Sequence, residues 1–306
     1  MIRPWLAEYR IDAALVSALY RECLPEGAEQ PPTRMGAGWD SEVWCVGDLA
    51  LRFPRRALGA QLLAVEQEVL PGLARHVSLQ IPVPEVMGRP TPLFPHPYYG
   101  YRFVPGVTAC QLDLDDDARR ALAPALGEFL RSLHALPPHA FGAPLDSFRG
   151  DTARVAGRAA ERVELLPDGV SRDAILRRLT SPPLPALDGP VLLHGDLYSR
   201  HLLLDEAGKL TGVIDWGDVC VGDRAVDLRV AHAFLPPSAH AAFLEAYGPV
   251  SDVTWERARF LAFASYGVSV LVYATDVHDD ALLREARRTL AWTLEAPEDA
   301  GVRATP

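Results

Sequence analysis

Residues 194–201 read His-Gly-Asp-Leu-Tyr-Ser-Arg-His, and an apolar run leads from there to Ile-Asp-Trp at residues 214–216. Two short apolar segments between 202 and 214 flank a polar turn, which is the pattern of a β-hairpin. Asp196 follows the strand before this hairpin, and Asp215 ends the hairpin's second strand. The spacing therefore predicts two carboxylates that face one cleft.

Outward from this hairpin, the chain changes character at Pro105-Gly106. Before it lie strand-like runs, and after it the sequence has mostly helical periodicity. The predicted helices and strands are a helix at 5–24, strands at 43–46 and 49–53, a helix at 58–75, a strand at 98–104, and helices at 116–136, at 151–180 and from 224 onward. We therefore predict an α+β fold with a small strand-rich lobe, residues 1–104, and a larger mainly helical lobe, residues 105–306.

Composition excludes several classes of protein. The 306 residues carry a formal net charge of −10, which argues against nucleic acid as a partner, because phosphate backbones require clusters of basic residues. The four scattered cysteines form no C-x-x-C pair, so neither a disulfide framework nor a zinc site is predicted. The N-terminus has charges where a signal peptide is apolar, and the apolar run 260–274 is too short to span a bilayer. We expect a cytoplasmic protein without a membrane segment.

Two carboxylates at one cleft suit phosphoryl transfer. That reaction needs a carboxylate that orients and deprotonates the attacking hydroxyl. It also needs oxygen ligands that hold Mg²⁺ against the phosphates. Asp196, Asp215 and a further ligand five positions after Asp196 would meet these needs.

The pattern H-G-D-x-x-x-x-[N/H] followed by I-D-W resembles the aminoglycoside phosphotransferase family, which includes macrolide phosphotransferases and is related to protein kinases. The resemblance implies a protein-kinase-like two-lobe fold, with Asp196 as catalytic base and Asp215 as principal Mg²⁺ ligand. His194 would support the loop. His201 stands where most of the superfamily has Asn, and macrolide phosphotransferases look similar at that position, so His201 is the second expected metal ligand.

The small lobe carries the expected nucleotide site. Gly36 and Gly38 precede the first strand pair together with Ser41, and glycines let backbone amides approach phosphates closely. In the following strand, Ala50 and Arg52 share one face. The segment resembles the kinase V-A-I-K strand, with Ala50 leaving room for a purine and Arg52 replacing the lysine.

No lysine is available for that position, since the only lysine of the chain, Lys209, lies in the turn of the other hairpin. Arginine is chemically able to clamp phosphate oxygens. The helix at 58–75 resembles the kinase αC helix and offers Glu66 as the partner of Arg52, with Glu68 as the alternative.

The segment Arg102, Phe103 and Val104 resembles the linker between kinase lobes, where backbone groups pair with the purine edge of ATP or GTP. Beyond the hairpin, the resemblance implies that Asp227 caps a helix and braces the catalytic loop. A role as a loop anchor is the expectation for Asp223, and a structural role for His134.

The acceptor is less defined. The resemblance indicates an aminoglycoside or macrolide antibiotic, and acidic residues in the helices after 224 would favour a cationic acceptor if they lined the cleft. Aromatic residues there, such as Tyr266 and Tyr273, could instead form a macrolide-sized wall. Alternatives are a housekeeping kinase for a sugar, choline or homoserine, a nucleotide-binding pseudokinase, and a metallophosphatase.

Overall fold

The computed structural model describes residues 7–24, 30–183, 185–186 and 188–294, and its N-terminal part is a five-stranded antiparallel sheet. In the order in which they pair, the strands are β1 (Thr33–Ala37), β2 (Ser41–Val46), β3 (Leu49–Pro54), β5 (Tyr98–Arg102) and β4 (Pro84–Gly88). The predicted strand pairs are confirmed. The strand predicted at 98–104 ends at Arg102, ahead of Pro105-Gly106.

Strand β3 separates two environments, as its alternation predicts. Leu49, Leu51 and Phe53 pack in the apolar cluster that also contains residues of helix α1 (Ala13–Cys23). Ala50 lies in a different cluster, on the side that faces the rest of the chain. The prediction of a helix at 5–24 is wrong at its start: α1 begins at Ala13 because the Asp12 side chain accepts a hydrogen bond from the Leu15 amide at 3.0 Å. Residues 5 and 6 of the predicted helix lie outside the described residues.

Helix α2 (Ala57–Leu73) connects the sheet to the rest of the chain. Its middle buries Leu63 and Glu66 beneath β3 and β5, whereas Val69, Leu70 and Leu73 belong to the largest apolar core, which is otherwise formed by later residues. Sheet, α1 and α2 are the small lobe, and the remainder is the large lobe. The C-terminal half of α2 therefore ties the two lobes together.

The large lobe is mainly helical, as predicted. Its helices are α3 (Asp116–His134), α4 (Thr152–Ala160), α5 (Arg172–Leu179), α6 (Ala225–Phe234), α7 (His240–Tyr247), α8 (Asp252–Leu261), α9 (Val270–Asp276) and α10 (Asp280–Thr293). Its strands are β6 (Val107–Thr108), β7 (Val191–Leu193), β8 (Leu202–Leu204), β9 (Leu210–Val213) and β10 (Cys220–Gly222). Strands β6, β8 and β9 form one small antiparallel sheet, and β7 and β10 form another.

The C-terminal helices form a continuous buried segment. Helix α8 passes through π-helical turns at Ala262–Ser269 into α9, and α10 packs against them. The stretch Asp252–Asp276 is long and apolar enough to cross a membrane by length and composition, but 78% of its most apolar window is buried within the chain. It is therefore packed as a core helix, in agreement with the prediction for 260–274.

Helices α6, α7 and α8 enclose two histidines. The ring of His232 lies 4.8 Å from that of His240 and 4.2 Å from that of Trp255. Burial holds the pKa of His232 well below its usual range, and the neighbouring His240 and Arg259 act in the same direction. Burial likewise lowers the pKa of His240.

Because of these two buried histidines, we expect the folded chain to lose stability in acid. Because their pKa values are lower in the folded chain than the unfolded value of about 6.5, the unfolded chain binds more protons below that pH. Stability should be full above about pH 6.5 and should fall as pH drops below it. In His232→Phe, we expect the loss in unfolding free energy between about pH 7.5 and 5.5 to be smaller by about 1 kcal/mol. Urea unfolding measures it, with exposed His139→Phe as control. An equal loss in wild type and His232→Phe would contradict the assignment.

Candidate active site

The loop that follows β7 is fixed from below by a buried carboxylate. Asp227 in α6 is fully buried and accepts hydrogen bonds from the backbone amides of His194, at 2.7 Å, and Gly195, at 2.9 Å. The His134 ring lies 3.2 Å from the same carboxylate. Burial alone would raise the pKa of Asp227, but these partners hold it below its usual value. The bracing role of Asp227 and the structural role of His134 are thus as expected.

The expected capping role is wrong for Asp227. The amide of Ala225, the first residue of α6, donates instead to Asp223 at 3.0 Å. Asp223 also forms a buried ion pair with Arg257 at 2.6 Å. It is therefore the anchor of this loop, as the sequence indicates.

Gly195 is required by the close approach of a second loop. Its φ is +86°, and a side chain there would place Cβ 2.1 Å from the backbone oxygen of Asp218. His194 links the same two loops from the other side. Its Nδ1 accepts from the Asp196 amide at 3.2 Å, and its Nε2 lies 3.1 Å from the Ile214 oxygen. Burial lowers the pKa of His194 to about 4, so the ring is neutral near pH 7.

One oxygen of the Asp196 carboxylate is held by two side chains. The hydroxyl of Tyr266 donates to Oδ1 at 2.9 Å, and Arg229 Nη2 lies 3.4 Å from it. Arg229 also donates to the Gly195 oxygen at 2.8 Å and lies over the Tyr266 ring at 4.5 Å. Among the described residues, Oδ2 has no hydrogen-bond partner. Sequence reasoning missed the contacts of Arg229 and Tyr266, because no local pattern marks them.

His201 brings Asp196 and Asp215 together. Its Nδ1 is 2.7 Å from the backbone oxygen of Asp196, and its Nε2 is 3.2 Å from Asp215 Oδ2. Burial alone would lower the pKa of His201, but Asp215 and Asp196 raise it overall. Asp215 has a φ of 64°, which is rare for a residue with a side chain and aims its carboxylate into the cleft.

Arg52 approaches the same carboxylate from the small lobe. Its Nη2 donates to Asp215 Oδ1 at 2.5 Å, and its Nε lies 3.1 Å from Glu66 Oε2. Glu66 is the observed partner, whereas the alternative Glu68 is exposed. Burial alone would raise the pKa of Asp215, but Arg52 and His201 hold it well below its usual range. For Glu66, burial raises the pKa to about 7, with Arg52 opposing the rise.

The predicted purine site is an apolar seam between the lobes. Ala50 and Val104 are buried against Leu203 of β8, with Val43 and Ile214 alongside. The seam joins the face of β3 to the hairpin that carries the H-G-D and I-D-W motifs.

Of the three predicted linker residues, Arg102 and Phe103 lie away from the apolar seam that Val104 enters. The Arg102 side chain is 70% exposed and pairs with Asp48 and Glu85 on the outer surface. The Phe103 amide already donates to the Asp48 oxygen at 2.9 Å. Val104 is thus the linker residue whose side chain reaches the seam.

The glycine-rich loop lies above the cleft. A Cβ built on Gly36 would have no atom within 4 Å, so its backbone is open to a ligand. Gly38 donates to the Ser41 oxygen at 2.9 Å in the turn between β1 and β2. Ser41 itself is buried at the start of β2.

Asp218 is a third carboxylate beside Asp196 and Asp215. It is paired with Arg149, which also lies 3.5 Å from Asp146. Burial raises the pKa of Asp218 to about 6, and Asp196 and Asp215 add to the rise. Asp218 is therefore a member of the cleft's charge network as well as a turn residue.

Three acidic residues of the C-terminal helices are paired with arginines. Glu285 is buried against Arg119 at 2.6 Å, Glu256 pairs with Arg178 and Arg259, and Asp279 lies 3.3 Å from Arg200. These three residues therefore do not offer free negative charge to a cationic acceptor.

The architecture defines a two-lobed α+β protein whose clustered carboxylates lie where the lobes meet. The chain matches the sequence model of the phosphotransferase enzyme family over residues 32–261, so it belongs to that family.

Curated relatives include the aminoglycoside 3'-phosphotransferases of Streptomyces fradiae, 34% identical over 162 residues, and Streptomyces ribosidificus, 31% identical over 160 residues. Each alignment covers 47% of this chain and 59% of the relative. A 66-residue match, 33% identical, covers 22% of this chain and 22% of an uncharacterized Bacillus subtilis protein. The chain thus spans less than two thirds of the length of these relatives.

Solved structures share the fold. The GDP complex of aminoglycoside 2'-phosphotransferase-IIIa has a TM-score of 0.71 and 24% identity, covering 93% of this chain and 99% of that chain. A macrolide 2'-phosphotransferase from Brachybacterium faecium has a TM-score of 0.61 and 24% identity, covering 91% and 98%. The predicted two-lobe fold is confirmed.

Replacing Asp227 should destabilise the whole loop. Asp227→Ala leaves two buried amides and the Nε2 of buried His134 without their carboxylate partner, so we expect a loss of about 3–5 kcal/mol in the free energy of unfolding. Asp205 is a matched control, because its carboxylate accepts two backbone amides in an exposed turn, at 3.0 and 2.9 Å. Asp205→Ala should cost about 1 kcal/mol or less. Similar losses in both variants, measured by urea unfolding, would show that Asp227 is not a brace.

Proposed function

We propose that the chain is a small-molecule kinase that transfers the γ-phosphoryl group of ATP or GTP to a hydroxyl of an aminoglycoside or macrolide antibiotic. The observation that carries the proposal is the single constellation in which His201 links Asp196 to Asp215 while Arg52 and Glu66 meet Asp215 from the other lobe. Membership of the phosphotransferase enzyme family and the named relatives support it.

Asp196 acts as the base in this proposal. Tyr266 and Arg229 hold Oδ1, so Oδ2 faces the acceptor hydroxyl and takes its proton. The acceptor oxygen forms a bond to the γ-phosphorus, the bond to the β–γ bridging oxygen breaks, and the nucleoside diphosphate leaves. Such transfer depends on positioning and on charge stabilisation more than on covalent chemistry.

The nucleotide would span the small lobe. Its purine would enter the seam beside Ala50 and Val104, with backbone groups of 102–104 at its edge. Its phosphates would lie under the glycine-rich loop, where Gly36 is open, and against the Arg52 fork. The proposed nucleotide-binding residues are Gly36, Gly38, Ser41, Ala50, Arg52, Glu66, Arg102, Phe103 and Val104.

Asp215 and His201 are the proposed metal ligands. Asp215 is an ionised carboxylate whose side chain is 35% exposed, and Mg²⁺ commonly takes one or two carboxylates together with phosphates and water. His201 Nε2 lies 3.2 Å from that carboxylate and would have to give up its proton to bind a cation; an imidazole nitrogen suits Mn²⁺ better than Mg²⁺. When bound, the cation neutralises charge on the phosphates.

We place the lobe boundary between residues 104 and 105. The five strands of the larger sheet lie before it, and β6 after it pairs with β8. Residues 1–104 would then bind the nucleotide, and residues 105–306 would supply the base and the acceptor site.

A coupled nucleotide-consumption screen tests the function. We expect turnover of an aminoglycoside or a macrolide that depends on nucleoside triphosphate. Turnover of choline, homoserine or a sugar alone would support a housekeeping kinase. Nucleotide binding without any turnover would support a pseudokinase, and phosphate release without triphosphate would support a phosphatase.

The base assignment predicts a selective loss of turnover. In Asp196→Asn, turnover should fall by about 10²–10⁴, because a positioned proton acceptor is removed. The nucleotide Kd should change by less than about threefold, since the carboxylate serves the acceptor. Asp205→Asn in the exposed hairpin turn is the control. Near-normal turnover in Asp196→Asn would place the base elsewhere.

The metal assignment predicts a change in nucleotide binding. In Asp215→Ala, added Mg²⁺ or Mn²⁺ should no longer tighten nucleotide binding, because the carboxylate ligand is gone. In His201→Asn, Mg²⁺ should become more effective relative to Mn²⁺, because an amide oxygen replaces an imidazole. Calorimetric titration of nucleotide with each metal measures both. If nucleotide binding by Asp215→Ala still tightened with added metal as in wild type, the metal site would have to lie elsewhere.

A further inference from the structure

Trp39 joins the glycine-rich loop to the helices of the large lobe. It follows Gly38 between β1 and β2, and its ring centroid lies 4.9 Å from that of Tyr273 in α9, at an interplanar angle of 56°. The half-buried side chain packs against the apolar cluster that contains Tyr273 and Leu282. A loop of the small lobe therefore touches the large lobe through an aromatic contact.

Arg200 fastens the same loop. Its Nη2 donates to the Ala37 oxygen at 3.5 Å, and its Nη1 donates to Asp279 at 3.3 Å. Asp279 caps α10 by accepting from the Leu282 amide at 3.0 Å. The loop is thus connected to the start of α10 by a charged side chain as well as by Trp39.

The small lobe holds the loop from its other side. Arg55 donates to the Gly38 oxygen, and Arg56 pairs with Asp40 at 2.6 Å. With partners on both lobes, the position of Trp39 is set by the fold around it.

Aromatic rings continue from Trp39 towards the base. Tyr198 packs in the same cluster as Tyr273 and stacks on Tyr266, with centroids 4.9 Å apart and an interplanar angle of 16°. The Tyr266 hydroxyl holds Asp196. The aromatic wall, defined as Trp39, Tyr273, Tyr198 and Tyr266, therefore runs from the glycine-rich loop to Asp196, with Tyr273 and Tyr266 buried behind the half-buried rings of Trp39 and Tyr198.

Two carboxylates at the α10 end of the aromatic wall are neutralised. Asp279, the cap of α10, and Glu285 within it are paired with Arg200 and Arg119. Aromatic faces bind apolar ring surfaces and single cations, whereas a polycation gains most from several free carboxylates.

We propose that Trp39 is a specificity-determining residue of the acceptor site, where it closes the aromatic wall over an acceptor that presents an extended apolar face. This inference rests on the proposed kinase function and narrows it to acceptors of that chemistry over polycations. Closure by Trp39 also excludes water from the γ-phosphate, which couples nucleotide use to transfer.

Direct binding tests the inference separately from turnover. Erythromycin, with a broad apolar ring and one amine, and kanamycin, a polycation, serve as probes for wild type, Trp39→Ala, Trp39→Phe and Trp292→Ala in calorimetry. Trp292 is the matched control, because it is a half-buried tryptophan near the far end of α10. Melting curves establish that each variant is folded.

We expect wild type to bind erythromycin more tightly than kanamycin. Trp39→Ala should weaken erythromycin binding by about tenfold or more, as expected for loss of a packed aromatic ring, with Trp39→Phe recovering most of it. Trp292→Ala should match wild type in both erythromycin and nucleotide affinity.

Equal erythromycin affinity in wild type and Trp39→Ala, no binding by wild type, or a preference for kanamycin would overturn the inference. Binding that depends on Trp39 in a chain that transfers no phosphoryl group to any acceptor would overturn the proposed function and leave the binding site standing. In a chain that does transfer, Trp39→Ala should also hydrolyse more nucleotide per phosphoryl group transferred.

Discussion

The ion pairs of Arg52 connect the parts of the chain on which the site depends. One guanidinium from β3 meets Glu66 in α2 and Asp215 after β9, so sheet, helix and hairpin converge on one charge. Burying that guanidinium without partners would be very costly, and the two carboxylates provide them. A triphosphate entering the cleft would offer Arg52 new anionic oxygens and would free Asp215 for a cation.

A second buried hydrogen-bond network lies beside this ionic centre. Asp227 fixes the amides of the H-G-D loop, and the uncharged ring of His194 connects that loop to Ile214, next to Asp215. Gly195 permits the close contact between the two loops. The proposed base, Asp196, and the proposed metal ligand, Asp215, are therefore positioned by the same two connected loops.

The sequence was informative wherever the signal was local. Strand alternation placed Ala50 and Arg52 on one face, and the H-G-D and I-D-W spacing placed the carboxylates together. It was silent about Tyr266 and Arg229, which reach Asp196 from 70 and 33 residues away through helix packing. The sequence also did not predict which acidic residues pair with arginines, because composition gives the number of charges but not which helices pack against each other.

Nucleotide titration of Arg52→Ala, Arg52→Lys and Arg120→Ala tests the central role of Arg52 most directly. Arg120 is the control, since it is an arginine of α3 that pairs with Asp117, has a side chain 46% exposed and lies outside the proposed nucleotide-binding residues. We expect Arg52→Ala to raise the nucleotide Kd by about tenfold or more, Arg52→Lys to recover part of the loss, and Arg120→Ala to stay within about twofold of wild type. An unchanged Kd in Arg52→Ala, or equal losses in Arg52→Ala and Arg120→Ala, would contradict the central role of Arg52.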